Sequence, residues 1–374
     1  MMCRDHERIH GGGNPDIPLD FSINVNPLGM PACCREAVIR SLDGIDRYPD
    51  TDNNRLLYEL TKGYPGTHAV LGNGSAELIY ALCRYMSDKR PGFSAIVTAP
   101  SFSEYEYAVK AARGNVKIVK TDEDKDFGIT SEVIEELFSV LEKMSYNIDE
   151  SHKTYSTPVF ICNPANPTGE LLERSVMARI AGHCEKNGAL LVVDECFMRF
   201  SDRFGDNTMR ALAKEYPNLL VLDAFTKFYA MPGLRIGYAL SSDLRLIEGI
   251  RAVLQPWNVS TPAAEAALAA LSDEDYAGRT RKVINKERDY LINELNTLGL
   301  RVIGNPAADF IMFEGPDGLR ASLNGYGIDI RDCADMMRYH DTEPRYYRCA
   351  VRKHEDNLKL VNAVSDIVVR RYEK

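Results

Sequence analysis

The sequence predicts an α/β fold, in which a large domain with a mostly parallel sheet flanked by helices is joined to a smaller α+β domain. From about residue 70, short apolar runs typical of strands alternate with longer amphipathic runs typical of helices, as in parallel sheets with crossover helices. After about residue 240 this alternation gives way to long helical segments followed by short strands. The 374 residues, of which 45% are hydrophobic, are enough for more than one core.

The pattern places the elements as follows. The predicted strands of the large domain are 95–99, 116–120, 158–162, 189–193 and 219–222, and the predicted helices are 75–89, 103–112, 131–143 and 173–187. In the smaller domain we expect helices at 244–254, at 261–298 with a break near Ser272, and at 355–371, and strands at 301–303, 310–313 and 347–351.

Three further segments complete the division of the chain. Residues 1–30 are rich in Gly, Asn and Pro, so we expect an irregular arm that lies over another part of the molecule rather than a packed unit. We expect 1–40 to form this N-terminal arm and part of the small domain, 41–243 to form the large domain, and 244–374 to form the C-terminal small domain. The polar stretch 144–157 predicts an exposed connection.

The composition argues against several classes of protein. A formal net charge of -9 is a poor match for nucleic acid, whose phosphates need a basic face. No stretch approaches the roughly 18 apolar residues of a membrane span, and the N-terminus lacks an apolar signal core, so we expect a cytoplasmic protein. The nine cysteines are odd in number and contain no Cys-x-x-Cys pair, which favours reduced thiols. Cys3, His6 and His10 lack an evident fourth ligand, so we expect no metal site.

Two motifs after predicted strands carry reactive groups. Lys227 lies among the aromatic residues Phe225, Phe228 and Tyr229, and a lysine amine can form a Schiff base with an aldehyde. Arg235 follows eight residues later and can hold a phosphate with its planar fork, although a strand-end salt bridge is the plainer interpretation.

Four more motifs lie at the ends of predicted strands or at the start of a predicted helix. Asp194 ends an apolar strand, where a carboxylate can keep a pyridine nitrogen protonated or simply cap a helix. The string Asn-Pro-Ala-Asn-Pro-Thr-Gly at 163–169 holds the Asn166 amide in a rigid turn. Gly-Asn-Gly-Ser-Ala-Glu at 72–77 opens a helix whose free N–H groups suit a phosphate. Phe102 also follows a strand, where it can stack on a ring or pack in the core.

Together these residues supply an aldehyde-capturing amine, a carboxylate for a ring nitrogen, a donor for a ring oxygen and a cradle for a phosphate. Because ligands of α/β sheets bind beyond the carboxyl ends of the strands, we expect the groups to meet in one cleft. The sequence therefore predicts a site for pyridoxal 5'-phosphate (PLP).

In this order the motifs resemble the class I and II branch of the aspartate-aminotransferase fold (fold type I) of PLP enzymes, and the resemblance covers nearly the whole chain. Within that branch the sequence is similar to histidinol-phosphate aminotransferases and to the threonine-phosphate decarboxylases of cobalamin biosynthesis. The resemblance implies a PLP-dependent enzyme, a small phosphorylated amino-acid substrate and a homodimer with shared active sites.

The resemblance also implies a role for each site residue. Lys227 would carry the cofactor covalently, Asp194 would pair with its ring nitrogen and Asn166 with its ring oxygen. The other cofactor contacts would be the stacking Phe102, the phosphate ligands Ser75, Ala76, Thr226 and Arg235, and Tyr48 reaching the site of the partner subunit. Substrate binding would fall to Arg348, which would clamp the carboxylate, and to Arg331, His10 and Asn24.

Several features resemble the decarboxylases more than the aminotransferases. They are His-Gly-Gly-Gly-Asn at 10–14, Gly-Ser-Ala-Glu at 74–77, Ile-Arg-Asp-Cys at 330–333, and Phe197 at a position where aminotransferases usually carry a tyrosine. The sequence departs from the family pattern at Ala224, where a Ser or Thr commonly assists the phosphate, and at Ala165, which replaces an Asn. The lost hydroxyl at Ala224 would weaken cofactor binding by about 0.5–1.5 kcal/mol.

The sequence leaves open which reaction follows, because the placement of the arginines decides whether a carboxylate or a proton leaves Cα. Threonine-phosphate (or serine-phosphate) decarboxylation is the first hypothesis, and histidinol-phosphate or related transamination is the second. A PLP-binding regulator without turnover and a cofactor-free relative are hypotheses of a different class. No DNA-binding module is visible before residue 40, which argues against the regulator.

Overall fold

The structure is a computed structural model, and it describes residues 11–12, 16–145, 155–340 and 345–372. Within these ranges the strands are β1 (Leu19–Asp20), β2 (His68–Gly72), β3 (Ser94–Ala99), β4 (Asn115–Lys120), β5 (Pro158–Cys162), β6 (Leu190–Asp194), β7 (Leu219–Ala224), β8 (Gly237–Ser241), β9 (Phe310–Gly315), β10 (Ile328–Asp329), β11 (Arg331–Asp332) and β12 (Arg345–Ala350).

The helices of the same ranges are α1 (Ala32–Ser41), α2 (Asn54–Thr61), α3 (Ser75–Lys89), α4 (Glu104–Ala111), α5 (Ser131–Ser145), α6 (Arg174–Lys186), α7 (Phe204–Asn207), α8 (Phe225–Phe228), α9 (Leu244–Val253), α10 (Thr261–Ser272), α11 (Glu274–Thr297), α12 (Leu319–Asn324) and α13 (His354–Tyr372).

The described residues form a central seven-stranded sheet in the order β2-β8-β7-β6-β5-β3-β4. The pairs β3–β4, β3–β5, β5–β6 and β6–β7 are parallel, whereas β8 runs antiparallel to both of its neighbours. The interior strands β6 and β7 are fully buried, and they are apolar except for one aspartate near the carboxyl end of each, because helices cover both faces of such a sheet. The α/β prediction with a mostly parallel sheet is confirmed.

A second layer of strands forms beside the central sheet. In one small sheet the order is β11-β12-β9, with both pairs antiparallel, and β1 pairs with β10 in another. This arrangement agrees with the expected α+β character of the C-terminal part. The strand predicted at 301–303 is wrong, because Val302 makes only an isolated bridge to Phe313.

The described part of the N-terminal arm packs against other parts of the chain, in agreement with an arm that lies over another part of the molecule. Phe21, Asn24 and Asn26 are almost completely buried, and the amide of Asn26 donates hydrogen bonds to the backbone oxygen of Phe228 and the hydroxyl of Thr280. Gly and Asn side chains gave no apolar periodicity, so the sequence could not indicate that the segment packs through polar contacts. The first helix α1, which packs against α10, was unassigned for a similar reason, since it buries only Cys34 and Ala37.

Two features are absent from the described residues. No helix among them has the length and apolarity to cross a bilayer. No group of three His, Cys, Asp or Glu side chains in these ranges is placed to hold a metal ion, while Cys3, His6 and His10 lie outside the described residues.

Candidate active site

Three motifs far apart in the chain meet at the carboxyl edge of the central sheet. Asp194 ends β6, the turn with Asn166 follows β5, and Lys227 lies in the short helix α8 directly after β7. In the sheet register Asp194 stands opposite Cys162 on one side and Leu222 on the other. The three side chains face a common cavity of about 250 Å³, because the carboxyl ends of neighbouring parallel strands open into the same crevice.

The cavity brings together most of the residues predicted for the site. Among its lining residues are Asn24, Ser75, Phe102, Asn166, Asp194, Thr226, Lys227, Arg331 and Arg348. Sequence analysis missed several others that share the wall, namely Gly11, Ser22, Ile23, Ser103, Tyr105, Cys162, Cys196 and Met336. Phe197, noted for its missing hydroxyl, lines the cavity and packs edge-on against Phe310.

Asp194 is held by two donors. Its Oδ2 accepts a hydrogen bond of 2.8 Å from the hydroxyl of Tyr105, and its Oδ1 accepts one of 3.0 Å from the backbone N–H of Cys196. Burial raises the pKa of this carboxyl, while the bonds from Cys196 and Tyr105 oppose the rise. The side chain is therefore both a local cap and a cavity-facing carboxylate, so the two interpretations of the sequence are compatible.

The neighbouring carboxylate turns away from the cavity. Glu195 is fully buried and accepts hydrogen bonds from the hydroxyl of Thr208 and the N–H of Met209. It also pairs with the buried Arg210 at 3.1 Å, which in turn donates to Asp223 at the end of β7. This ion cluster ties the end of β6 to the end of β7 behind the site.

Lys227 is half-buried, and the pKa of its amine is lowered. Burial is the main cause, the negative charge of Asp309 opposes it, and the positive charges of Arg348 and Arg235 add to it. A lowered pKa leaves more of the amine unprotonated and nucleophilic. Asp309 is fully buried, and no sequence signal marked it beyond its position directly before β9.

Arg348 joins three parts of the chain at the cavity wall. It is 6% exposed, and its guanidinium donates to Oδ1 of Asn166 and, over 2.9 Å, to the backbone oxygen of Ser22. An arginine can only donate, so the contacting atom of Asn166 is its oxygen. The amide nitrogen of Asn166 therefore remains as the donor that this side chain can offer to a ligand.

The start of α3 forms a cradle for an anion. Gly74 has φ +82°, and a Cβ at this position would lie 2.8 Å from Nη2 of Arg235. The guanidinium of Arg235 donates to the backbone oxygens of Asn73 and Pro232. No side chain caps the helix start at Ser75 and Ala76, so its N–H groups are available beside a cation, as phosphate binding requires.

Four predicted residues are not among those that line the cavity. Two of them, Ala76 and Arg235, lie at the adjoining anion cradle, and the other two are Tyr48 and His10. Tyr48 is 79% exposed and lies against Trp257, with ring centroids 4.6 Å apart. His10 lies outside the described residues. Ala224, where a hydroxyl was expected, ends β7 as a buried residue.

These groups fit PLP on observations of the structure itself. A partly desolvated amine can bind its aldehyde, a buried carboxylate can face its ring nitrogen, and an uncapped helix start with a guanidinium can take its phosphate. Proteins of known type share this arrangement of groups.

The fold and the site together are those of an aminotransferase-like enzyme, and the comparisons agree. The family model described as "Aminotransferase class I and II" matches residues 16–357, so the chain belongs to this family. It is a PLP-dependent enzyme of fold type I.

Individual relatives show which enzymes of this family the chain is similar to. The chain is 32% identical over 362 residues to a threonine-phosphate decarboxylase of Salmonella typhimurium, covering 96% of this chain and 93% of the relative. It is 29% identical over 354 residues to histidinol-phosphate aminotransferase 2 of Archaeoglobus fulgidus, covering 93% of each chain. The crystal structure of the histidinol-phosphate aminotransferase from Clostridium acetobutylicum superposes with a TM-score of 0.82 at 27% identity, covering 94% of this chain and 99% of that one.

Proposed function

We propose that the enzyme decarboxylates a small phosphorylated amino acid, L-threonine O-3-phosphate or its serine analogue. The observation that carries this proposal is a pair of buried arginines in the wall of the cavity that Lys227 also lines. Arg331 and Arg348 are 3% and 6% exposed, and two fixed cations suit a substrate with two anionic groups. The similarity to the Salmonella decarboxylase supports the same assignment.

The residues of the cavity and of the adjoining anion cradle would hold the cofactor. Lys227 would bind its aldehyde, Asp194 would pair with the ring nitrogen, and the amide of Asn166 would donate to the ring oxygen. Phe102 would stack on the ring, and the phosphate would be held by the start of α3 with its neighbours: Ser75, Ala76, Thr226 and Arg235. When bound, the cofactor supplies an electron sink that allows a bond to the substrate Cα to break.

The chain's own residues then set which bond breaks. Arg348 binds the substrate carboxylate and Arg331 its phosphate, while Asn24 and His10 complete the substrate contacts. In decarboxylation the bond between Cα and the carboxylate would break, CO2 would leave with the electron pair remaining at Cα, and the ammonium form of Lys227 would deliver a proton to Cα. The product is an aminoalkyl phosphate. Because Phe197 has no hydroxyl to donate to the ring oxygen, the electronic environment of the cofactor differs from that of a site with tyrosine there.

Transamination of histidinol phosphate is the second candidate, supported by the relative from Archaeoglobus fulgidus. In that reaction Lys227 removes the proton from Cα, and the amino group passes to a 2-oxoacid. Histidinol phosphate itself has no carboxylate, so in that reaction Arg348 would bind the carboxylate of the 2-oxoacid that accepts the amino group.

The assignment is tested with purified protein supplied with PLP and threonine phosphate. We expect CO2 in amounts equal to the substrate consumed, without any added 2-oxoacid. Serine phosphate and unphosphorylated threonine serve as matched substrates that test the methyl group and the phosphate. Absence of CO2, together with transfer of the amino group from histidinol phosphate to 2-oxoglutarate, would reject decarboxylation in favour of the second candidate.

We also propose that the enzyme is a cytoplasmic homodimer in which Tyr48 reaches the cofactor phosphate of the partner subunit. Several large apolar side chains are exposed around Tyr48 and the first helices, including Ile39, Leu42, Ile45, Tyr58 and Trp257. Unpaired cysteines at all eight described positions suit a reducing compartment. We also propose that the chain divides into an N-terminal arm at 1–40, a large domain at 41–243 and a C-terminal small domain at 244–374. Sedimentation at several concentrations tests the dimer.

A further inference from the structure

The anion cradle at the start of α3 is held by the carboxylate of Glu77, the third residue of the helix. Its Oε2 accepts a hydrogen bond of 2.7 Å from the backbone N–H of Asn73, and its Oε1 accepts one of 3.0 Å from the amide nitrogen of the same residue. The backbone oxygen of Asn73 in turn accepts from Arg235 over 3.3 Å. Glu77 therefore fixes the loop between β2 and α3 and, through it, a contact of the cradle guanidinium.

The side chain of Asn258 holds this carboxylate in place. Its amide nitrogen donates to Oε2 of Glu77 over 3.0 Å and to the backbone oxygen of Leu71, near the end of β2, over 3.1 Å. The two acceptors lie 181 and 187 positions away in the chain, on the two elements that flank the cradle loop. Asn258 thus joins the end of β2 to the start of α3.

The segment that carries Asn258 has an unusual backbone conformation. The preceding residue, Trp257, has φ +54°, in the left-handed region that residues with a large side chain rarely adopt. Such a conformation persists only where its surroundings fix it, and it is more frequent at functional sites than elsewhere. The ring of Trp257 lies against that of Tyr48, with centroids 4.6 Å apart. This turn places the amide of Asn258 within hydrogen-bond distance of Glu77.

A carboxylate in the same helical turn as an anion site is unfavourable unless other groups engage it. Helix N-termini attract carboxylates and phosphates alike, and among the described residues no side chain caps the start of α3 at Ser75 and Ala76. Without its donor, the Glu77 side chain would be free to turn towards these N–H groups and would repel a phosphate there. The bond from Asn258 therefore favours phosphate binding in two ways, because it keeps the loop in place and engages the negative charge.

We propose that Asn258 is a positioning residue for the phosphate of the cofactor, which acts by holding the Glu77 carboxylate and, through it, the loop of Asn73. The proposal rests on the proposed placement of this phosphate at the start of α3, and it does not depend on which reaction follows. Asn258 is not among the described residues that line the cavity, so its effect on the cofactor is indirect.

The test compares two forms of the cofactor that differ only in the phosphate. PLP and pyridoxal, its phosphate-free form, both carry the aldehyde that reacts with Lys227, so a change at the cradle alters the affinity for PLP alone. Both dissociation constants are measured by titrating cofactor-free protein and following the absorbance of the lysine-bound aldehyde. We expect Asn258→Ala to bind PLP about fivefold to tenfold less tightly than wild type and to bind pyridoxal within about twofold of wild type.

Three further variants separate this role from a general loss of packing. Asn115→Ala removes a similar amide bond, to the backbone oxygen of Gly92 over 3.1 Å, at the opposite edge of the central sheet, and should bind both forms as wild type does. Asn258→Asp keeps the shape of the side chain but cannot donate, so it should weaken PLP binding alone even if Asn258→Ala folds poorly. In a Glu77→Ala background, Asn258→Ala should change the ratio of the two constants by less than about twofold, because the side chain through which it acts is absent.

An unchanged ratio of the two constants in the folded Asn258 variants would overturn the proposal, as would an undiminished effect in the Glu77→Ala background. Arg235→Gln tests the cradle itself, because it should weaken the binding of PLP and not that of pyridoxal. If Arg235→Gln leaves the ratio unchanged, the proposed placement of the phosphate is wrong and the role of Asn258 is rejected with it. If only the Asn258 variants leave it unchanged, the cradle stands and the role of Asn258 alone is rejected.

Discussion

The hydroxyl of Tyr105 donates a hydrogen bond of 2.8 Å to Oδ2 of Asp194, although the two residues are 89 positions apart in the chain. Tyr105 is fully buried, stacks on Phe160 at 5.2 Å and meets the ring of Phe102 edge-on. The helix that follows Phe102 thus fixes both a ring of the cavity wall and the orientation of the cavity carboxylate.

Tyr105→Phe should weaken the site without disturbing its packing. The change removes one of the two donors to Asp194, and a hydrogen bond to a charged group contributes about 1.5–3 kcal/mol. We expect a lower free energy of unfolding by about that amount and a cofactor dissociation constant raised by about tenfold. Urea denaturation and titration with PLP measure the two effects. Tyr58→Phe, at a residue that is 65% exposed, is the control; equal behaviour of the two variants would refute the role of Tyr105.

Lys227→Ala should abolish the covalent attachment of the cofactor. Borohydride reduction of the PLP-loaded wild type should label the peptide that contains Lys227, and the variant should show neither this label nor the absorbance band of lysine-bound PLP. Loss of a positioned proton donor lowers the rate by about 10²–10⁴-fold. Lys125→Ala, at an exposed lysine, should behave as wild type. Label found on another lysine of the wild type would show that the anchor is misassigned.

Asp309 should make stability depend on pH. Both of its carboxylate oxygens lack a hydrogen-bond partner among the described residues. Burial raises its pKa to about 7, although the charges of Lys227 and Arg348 oppose the rise. The folded protein therefore keeps this proton at pH values where the unfolded chain has lost it. The stability from this group is complete below the unfolded pKa near 4 and is lost as the pH rises through about 7.

Asp309→Asn should remove this pH dependence. Near pH 4 the side chain is neutral in the folded wild type and the unfolded chain has only begun to ionise, so the two proteins should differ little. Between pH 4 and pH 7 we expect the variant to gain about 3–4 kcal/mol in unfolding free energy relative to wild type. Denaturation of cofactor-free protein at a series of pH values measures the difference. A difference that is constant with pH would mean that Asp309 is not protonated in the folded state.

Glu106 should hold the loop after β11 against α4. It is 3% exposed and accepts hydrogen bonds from Lys110 and Arg338. The hydroxyl of Tyr339 also donates to it and lies 2.8 Å from each of its two carboxylate oxygens. Burial would raise its pKa, but the hydrogen bonds from Lys110 and Tyr339 and the charge of Arg338 hold the pKa below its usual value. The stability it contributes is therefore present above the ordinary carboxylate pKa and lost as the pH falls through the lowered one.

Glu106→Gln is expected to cost about 2 kcal/mol of unfolding free energy at pH 7, with a smaller difference below pH 4. It should also raise KM, since Met336 of this loop lines the cavity together with Arg331 of the preceding strand β11. Glu135→Gln is the control, because the Glu135–Arg179 pair is solvent-exposed on both sides and should contribute less than about 1 kcal/mol. An unaltered KM in Glu106→Gln would argue that the loop stays in place without this contact.

The sequence alone determined the element pattern and the place of the principal site residues. Hydrophobic periodicity is local, so the runs before Asp194, Asn166 and Lys227 could be recognised as strands without any knowledge of their neighbours. Once those strands were taken as parallel, the position of each residue at a carboxyl end predicted that the groups would meet. The helix start at Ser75 was accessible through a motif of the same local kind, whereas the two arginines were indicated only by the resemblance to known PLP enzymes.

Only the tertiary structure decided which polar groups meet in the interior. The bond from Tyr105 to Asp194, the burial of Asp309 beside Lys227, and the packing of Ser22 against Arg348 join segments that are far apart in sequence and share no pattern. Arg331 and Arg348 stand opposite each other only because of the cross-strand register between β11 and β12. Pairing of buried charges depends on distance and desolvation in three dimensions, and neither quantity can be predicted from the order of the residues alone.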